Sequence, residues 1–335
     1  MSGVTQPAGH CVLAVDVGGT TIKAAVVGED GRVLSALTAP SQADDNPVLA
    51  IRSLCRQLRE HALSLGGEPA AIGVVTPGLV DERDGVVRYA ANLRLRDVPL
   101  RDLISGDLGL PVAIGHDARA AGVAEATAGV AVGLDNFLLL PLGTGIAAAV
   151  VVDGVPLAGA TRASGEVGHM PVYPGGEPCS CGQRGCLEVY ASAGGMARRY
   201  ARRVGTSGAD SQAIADAVGT DPDARVVWDD ATRALGIALA TLTLALDPAR
   251  VVLGGGLAEA GASFLDPVRE AMRDALAWRT PPPVLRSAFG TQAAQVGAAI
   301  LARREAGLPV PDGWGAPDPV PPADTLQRLA EPAKP

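Results

Sequence analysis

The segment Asp16-Val17-Gly18-Gly19-Thr20-Thr21-Ile22-Lys23 joins two apolar runs, Cys11–Val17 and Thr21–Val27. Apolar runs bounded by glycine predict β-strands, so the segment forms a turn from one strand to the next. Glycine lets a backbone approach a ligand closely, so such a turn can aim N–H groups at a phosphate, and an adjacent aspartate can hold a hydrated Mg²⁺. The segment alone also fits a tight hairpin. It lacks the Walker lysine pattern and the dinucleotide-binding spacing.

The neighbouring segments predict an α/β fold. A third apolar run, Arg32–Leu37, makes the opening a β-meander. The same pattern of apolar run, glycine turn and apolar run occurs again in Phe137–Leu142, Gly143-Thr144-Gly145 and Ile146–Val152, which suggests a duplicated fold. Periodicity and turn residues predict helices at 46–65, 100–108, 118–128, 191–203, 211–218, 224–246, 264–277 and 293–304, and strands at 71–75, 112–114, 250–253 and 284–289.

The bulk composition limits the class of protein. A chain of 335 residues has room for two domains. Its net charge of −8 and its 3% of aromatic residues argue against a nucleic-acid partner. The first apolar run is interrupted by Asp16, far short of a signal or membrane segment, so we expect a cytoplasmic protein with no membrane partner.

Three of the five cysteines lie within residues 179–186, while Cys11 and Cys55 stand alone. An odd number of cysteines suits a disulfide framework poorly. Metal binding is the better interpretation of the cluster, although three reduced cysteines in a loop would give the same sequence. Two glycine segments elsewhere are further candidates for nucleotide contacts: Gly143-Thr144-Gly145 as a phosphate turn and Gly254-Gly255-Gly256 beneath an adenine or ribose.

Six motifs occur in a recognisable order: Asp16 to Lys23, Thr76-Pro77-Gly78-Leu79-Val80, His116-Asp117-Ala118-Arg119-Ala120, Leu142-Gly143-Thr144-Gly145, Gly165-Glu166-Val167-Gly168-His169, and Cys179-Ser180-Cys181-Gly182-Gln183-Arg184-Gly185-Cys186-Leu187-Glu188. Together they resemble the ROK family of sugar kinases and related repressors, over about residues 11 to 306. The resemblance implies an actin-like ATPase (ribonuclease H-like) fold, with sugar and ATP bound in a cleft between two α/β domains. It also implies a homodimer or homotetramer.

The expected domains follow from this resemblance. Residues 1–123, joined by the C-terminal helix 293–306, would form the N-terminal domain, and residues 124–292 a larger C-terminal domain with the zinc loop. Residues 308–335 are rich in proline, which predicts a poorly ordered tail.

The resemblance also implies an activity, the ATP-dependent phosphorylation of a hexose, with glucose favoured. Asp117 matches the catalytic aspartate that takes the proton from the sugar 6-hydroxyl. The implied sugar-binding residues are Asn92, His116, Asp117, Glu166, His169 and Glu188. The implied ATP- and phosphate-binding residues are Asp16, Gly18, Gly19, Thr20, Thr21, Lys23, Gly143, Thr144, Gly145, Gly254, Gly255 and Gly256. Outside this context, Asp117 also fits a carboxylate that offsets a helix dipole, and each glutamate fits a solvated surface charge.

In the same framework His169, Cys179, Cys181 and Cys186 supply an imidazole and three thiolates, a set that favours tetrahedral Zn²⁺. With four protein ligands the zinc would be structural, and it would fix the loop that carries His169 and Glu188.

Two departures from the family pattern concern the choice of sugar. His116 stands where the family has asparagine, and Leu95 where many glucokinases have tryptophan. The alternatives are therefore kinases of N-acetylglucosamine, N-acetylmannosamine, fructose or allose. A rival of another class is a non-catalytic sugar sensor or regulator. About ten residues precede the first strand, too few for a helix-turn-helix, so we expect no DNA-binding domain.

Overall fold

The computed structural model describes residues 9–41, 46–311 and 314, in two units. Of these residues, the first unit comprises 9–41, 46–128, 158–163, 292–311 and 314, and the second comprises 129–157 and 164–291. The domain boundary that we placed after residue 123 falls inside a helix, Asp117–Ala128, and it stays a prediction. Of the predicted tail 308–335, residues 312–313 and 315–335 lie outside the described residues.

The first unit is built on a five-stranded sheet in the order β3-β2-β1-β4-β8. Strands β1 and β4 are buried along most of their length, as expected of central strands. The meander is antiparallel, whereas β1, β4 and β8 run parallel to one another. The strands of this sheet are β1 (His10–Val17), β2 (Thr21–Val27), β3 (Val33–Pro40), β4 (Glu68–Thr76) and β8 (Val112–His116).

A second, three-stranded antiparallel sheet lies between β4 and β8 in the chain. It consists of β5 (Leu79–Asp81), β6 (Val86–Ala90) and β7 (Leu95–Val98). These strands are not predicted from the sequence, because they are short and two of them have exposed charged residues among the apolar ones.

Three helices of the first unit have clear local signals. Helix α1 (Pro47–Ser64) begins with Asn46, whose side chain accepts the Leu49 N–H, and with proline at its first position. Helix α2 (Leu100–Leu108) ends at Gly109, which has a φ of 65°. Helix α3 (Asp117–Ala128) follows β8 with no intervening residue, so the end of the strand sets the position of its first turn.

The second unit repeats the arrangement of the first, with strand order β11-β10-β9-β12-β13. In both sheets an antiparallel meander forms one side. The first strand of that meander in chain order then pairs in parallel with the fourth strand of its sheet in chain order. The suggestion of a duplicated fold is therefore confirmed at the level of topology. The strands are β9 (Phe137–Pro141), β10 (Ala149–Val152), β11 (Val155–Pro156), β12 (Arg250–Gly254) and β13 (Val284–Arg286).

Among the described residues, five α-helices complete the second unit. The longest of them, α7 (Pro222–Leu246), is buried along one face in a large apolar cluster. The helices are α4 (Leu187–Ala191), α5 (Ala193–Val204), α6 (Ser211–Ala217), α7 (Pro222–Leu246) and α8 (Ala262–Ala275). Two strand predictions were too long. The predicted strand Ile146–Val152 begins at Ala149, and the predicted strand 284–289 ends at Arg286, because Ser287 and the residues after it form a turn.

Helix α9 (Ala293–Glu305) returns to the first unit and packs against its sheet. It approaches β4 closely enough to require glycine in the strand, and it approaches α3 closely enough to require glycine in α9 itself. A Cβ at Gly73 of β4 would lie 1.9 Å from the Ala298 carbonyl oxygen, and one at Gly297 would lie 2.1 Å from the Ala120 carbonyl oxygen. Within the described residues, no helix is long and apolar enough to cross a membrane.

The close packing of α9 on β4 gives the first prediction. Gly73→Ala should destabilise the protein by about 1–3 kcal/mol or more, because the added methyl meets backbone that cannot rotate away. The matched control is Gly106→Ala in α2, where an added Cβ meets no atom within 4 Å. Alanine there should stabilise by about 0.5–1 kcal/mol. Urea unfolding measures both, and equal midpoints for Gly73→Ala and the wild type would contradict the packing argument.

Candidate active site

The turn after β1 is held by backbone and side-chain hydrogen bonds within the first unit. The Gly18 N–H donates to the Thr21 carbonyl over 3.0 Å, and the Ser41 hydroxyl donates to the Gly18 carbonyl over 2.6 Å. Thr20 and Thr21 are exposed, so their hydroxyls are accessible at the surface of the turn. The turn therefore has the fixed backbone and open donors that a phosphate site needs.

Two carboxylates of the first unit influence each other beside this turn. Burial, and to a smaller extent the negative charge of Asp117, raises the pKa of Asp16 to about 7, against the opposing effect of Lys23. Lys23 lies opposite Asp16 in the β1–β2 register. Two neighbouring carboxylates repel an anion that binds without a counter-ion, and they attract a divalent cation.

Asp117 is the first residue of α3, and its neighbour His116 is the last residue of β8. The Ala118 N–H donates to Asp117 Oδ1 over 2.6 Å and lies 3.1 Å from His116 Nδ1. About a third of the Asp117 side chain is exposed (32%), whereas that of His116 is almost fully buried. The helix start thus fixes one carboxylate oxygen of Asp117 and leaves part of the group accessible.

Asn92 lies against the same turn. It belongs to the short helical turn Ala91–Leu93, and a Cβ at Gly19 would lie 3.5 Å from its own Cβ. Leu95, three residues later, is buried in the apolar core of the first unit. Leu95, at which we expect this chain to differ from many glucokinases, is therefore part of the apolar core.

In the second unit, the turn Gly143–Gly145 is connected to a sugar-site candidate. The Glu188 Oε2 atom accepts the Ile146 N–H over 3.0 Å, and a Cβ at Gly145 would lie 2.5 Å from that oxygen. The turn also lies beside the Gly254–Gly256 segment, since the Leu142 N–H donates to the Gly254 carbonyl over 2.9 Å. The structure thus brings both glycine segments and Glu188 together.

Glu166 and His169 lie on a segment packed against the residues that follow this turn. The Ala148 N–H donates to the Gly165 carbonyl over 2.7 Å. A Cβ at Gly168 would lie 2.3 Å from the Ile146 carbonyl, so this contact requires glycine. Glu166 directly precedes the helical turn Val167–His169, and the side chains of Glu166 and His169 are half-buried.

The cysteine cluster has the geometry of a tetrahedral metal site. The ligand atoms of His169, Cys179, Cys181 and Cys186 all lie within 4.8 Å of one another. The Sγ atoms of Cys181 and Cys186 are 3.7 Å apart, and Cys179 Sγ is 3.9 Å from His169 Nδ1. With Zn–S bonds of about 2.3 Å, the edges of a tetrahedron are about 3.8 Å long. The four residues therefore fit zinc.

The charge of the cluster also favours a cation. Burial, together with hydrogen bonds that the Cys186 thiol donates to its neighbours Cys181 and Cys179, raises the pKa of Cys186 to about 12, whereas the N–H of Gln183 lowers the pKa of Cys181. Three thiols at this spacing do not all ionise without a positive charge to hold them.

The sequence matches the ROK family over residues 12–305. The chain belongs to the ROK family. Among its relatives, the glucokinase of Halalkalibacterium halodurans is 35% identical over 278 residues, which are 77% of this chain and 84% of that protein.

Two solved ROK structures share both sequence and fold with the chain. The ROK hexokinase of Thermus thermophilus is 34% identical with a TM-score of 0.74, covering 89% of this chain and 99% of that chain. The ROK glucokinase of Streptomyces griseus, in complex with glucose and AMPPNP, is 32% identical with a TM-score of 0.77, covering 88% and 99%. The predicted actin-like ATPase fold is confirmed.

Three further side chains, which are not predicted from the sequence, support these ROK motifs. Ser41 closes the first turn, Glu82 binds the start of α3, and Arg199 ties the cysteine loop to α7. Arg199 donates to Glu177 over 2.7 Å and to Asp230 over 2.6 Å. All these contacts join residues more than 20 positions apart, so no local pattern in the sequence indicates them.

Proposed function

We propose that this protein is an ATP-dependent hexose kinase that phosphorylates the sugar 6-hydroxyl, with glucose as the favoured substrate. The observation that carries the proposal is Asp117. An accessible carboxylate stands at the start of α3, and its charge acts on Asp16 at the end of β1, next to the Gly18–Thr20 turn. The similarity to a glucokinase at 35% identity, and to one in complex with glucose and AMPPNP, favours glucose.

Asp117 would act as the general base. A carboxylate within hydrogen-bond reach of the 6-hydroxyl accepts its proton as that oxygen attacks the γ-phosphate. Phosphoryl transfer otherwise needs positioning and charge stabilisation, which backbone N–H groups of the Gly18–Thr20 and Gly143–Gly145 turns can supply. Lys23 would add a positive charge beside Asp16.

Asp16 would hold Mg²⁺, which usually keeps several of its waters. Mg²⁺ supplies neutralisation of the phosphate charge during transfer. Zn²⁺ would be held by the cluster of one histidine and three cysteines, in a structural role. Since Cys186 immediately precedes α4 and Glu188 is the second residue of that helix, the metal would fix Glu188 as well as His169.

For the sugar, Asn92 and His116 would contribute from the first unit, and Glu166, His169 and Glu188 from the second. Carboxylates that accept from vicinal hydroxyls discriminate epimers strongly, because a misplaced hydroxyl leaves a buried acceptor unpaired. Because position 116 carries an imidazole, the alternative function is a kinase of another hexose or of an N-acetylated hexosamine.

A cytoplasmic location, as predicted from the sequence, suits a reaction that consumes ATP and a cluster of reduced thiolates. The homodimer or homotetramer that the family resemblance implies stays a prediction.

A coupled ADP-release assay over glucose, mannose, fructose, allose, N-acetylglucosamine and N-acetylmannosamine tests the function. We expect hexose-dependent ADP release, highest with glucose. Asp117→Asn should lower kcat by about 10²-fold or more while sugar affinity is roughly retained, because the amide cannot accept the proton. Sugar binding without ADP release in the wild type would indicate a sensor, and kcat within a few-fold of wild type in Asp117→Asn would exclude Asp117 as the base.

Elemental analysis tests the metal. We expect one zinc per chain, lost in Cys181→Ser together with thermal stability and much of the sugar affinity, because the ligand loop then loses its fixed conformation. Cys55→Ala is the matched control, since that thiol is buried in α1, outside the cluster. Protein purified without chelator that contains no zinc would contradict the assignment.

His116→Asn tests the sugar contact. A neutral imidazole offers one donor and one acceptor, whereas asparagine offers two donors and a carbonyl. We expect kcat/KM for glucose to rise, by at most about tenfold. Steady-state kinetics on glucose, mannose and N-acetylglucosamine measure the change. Unchanged ratios among the three sugars would mean that His116 does not contact the substrate.

A further inference from the structure

Glu82 holds the start of helix α3 from outside the helix. It lies in the turn between β5 and β6, and its Oε1 atom accepts the backbone N–H of His116 over 3.1 Å and the Nε–H of Arg119 over 2.9 Å. These two donors flank Asp117 in the chain. One carboxylate oxygen therefore fixes the backbone just before Asp117 and the side chain two residues after it.

The ion pair with Arg119 makes this contact hard to break. Arg119 is only 3% exposed, and its other hydrogen bond among the described residues, from Nη2 to the Val80 carbonyl, is long at 3.4 Å. Its Nη1 atom is buried with no hydrogen-bond partner in the described part of the chain. Removing one partner of a buried charge pair is strongly unfavourable, because the other charge stays buried without compensation. Glu82 is thus required at this position.

The turn that carries Glu82 is itself fixed by Arg101 of α2. The Arg101 guanidinium donates to the carbonyls of Glu82, Arg83 and Val112 over 2.6, 2.7 and 3.2 Å. Since Val112 begins β8, the same side chain connects the turn to the strand that leads to Asp117. The hydrogen bonds therefore run from α2 through the turn to the first residues of α3.

We infer that Glu82 is a positioning residue for the carboxylate of Asp117. This rests on the proposed function, in which Asp117 is the base. A base must lie within hydrogen-bond reach of the proton that it takes, and misplacement by about 1 Å lowers turnover by about 10²-fold. Without Glu82, the Arg119 side chain and the His116 backbone are released together, and Asp117 shifts with them.

A salt bridge that only stabilises the fold would have a different effect. Loss of the ion pair lowers stability in either case, because Arg119, which is 3% exposed, then stays buried without its carboxylate. The distinguishing property is dependence on Asp117. A group that acts through Asp117 has no further effect on turnover once the base is removed, whereas a purely structural group has the same effect in either background.

The test is a double-mutant cycle of Glu82→Ala and Asp117→Asn, read as kcat with glucose and ATP. We expect Glu82→Ala to lower kcat by about 10- to 100-fold in the wild-type background, with both KM values within about threefold, and by less than about twofold in Asp117→Asn. Glu82→Gln, which keeps an acceptor for the His116 N–H but loses the charge, should have an intermediate kcat. If Glu82→Ala fails to fold, Glu82→Gln takes its place in the double-mutant cycle.

The matched control is Asp107→Ala. Asp107 is also a carboxylate of the first unit paired with arginine, accepting from Arg52 and Arg56 between α1 and α2. Its loss should lower the melting temperature and leave kcat within about twofold. Equal fold losses for Glu82→Ala in both backgrounds, or wild-type kcat in Glu82→Ala and Glu82→Gln, would overturn the inference alone. Wild-type kcat in Asp117→Asn would overturn the inference and the proposed base together.

Discussion

Parallel pairing of three strands in each sheet is the constraint on which the candidate site depends. Because β1, β4 and β8 run in one direction, their carboxyl ends share an edge, where Asp16 pairs with Val75 and Thr76 with His116. In the second unit β9 and β12 are also parallel, and the Gly143 and Gly254 segments follow their ends. Strand direction therefore determines where the candidate binding and reacting residues lie, and loops at that edge can vary without changing the core.

Features with a local physical cause could be predicted from the sequence. Gly18 and Gly19 follow a buried apolar run, Asn46 and Pro47 give a helix start, and the cysteine spacing indicates a metal loop, since each pattern restricts the backbone within a few residues. The repeated strand order could be suggested because both halves begin with a glycine turn between apolar runs. Family resemblance supplied the roles of the individual carboxylates, which periodicity alone cannot distinguish from solvated charges.

The supporting contacts could not be predicted, because they join residues that are distant in the chain. Glu82 reaches His116 and Arg119 across more than 30 positions, and its sequence context is that of an ordinary charged turn. The bond from Ser41 to Gly18 likewise depends on the antiparallel return of β3. Residues of this kind determine how accurately a reactive group is placed, whereas motifs determine only that it is present.

The electrostatics of the first unit explain why a cation belongs to the proposed reaction. The chain carries a net charge of −8, and two acidic groups that interact electrostatically, Asp16 and Asp117, lie in the same unit as the candidate phosphate turn. A nucleoside triphosphate that binds there would be repelled both by the net negative charge of the protein and by the nearby carboxylates. Lys23 opposes the rise in the pKa of Asp16, but burial is the largest cause of that rise and the pKa is still about 7. A divalent cation held by Asp16 would reverse the sign of the interaction, because it would turn a carboxylate that repels phosphate into a ligand that helps to bind it.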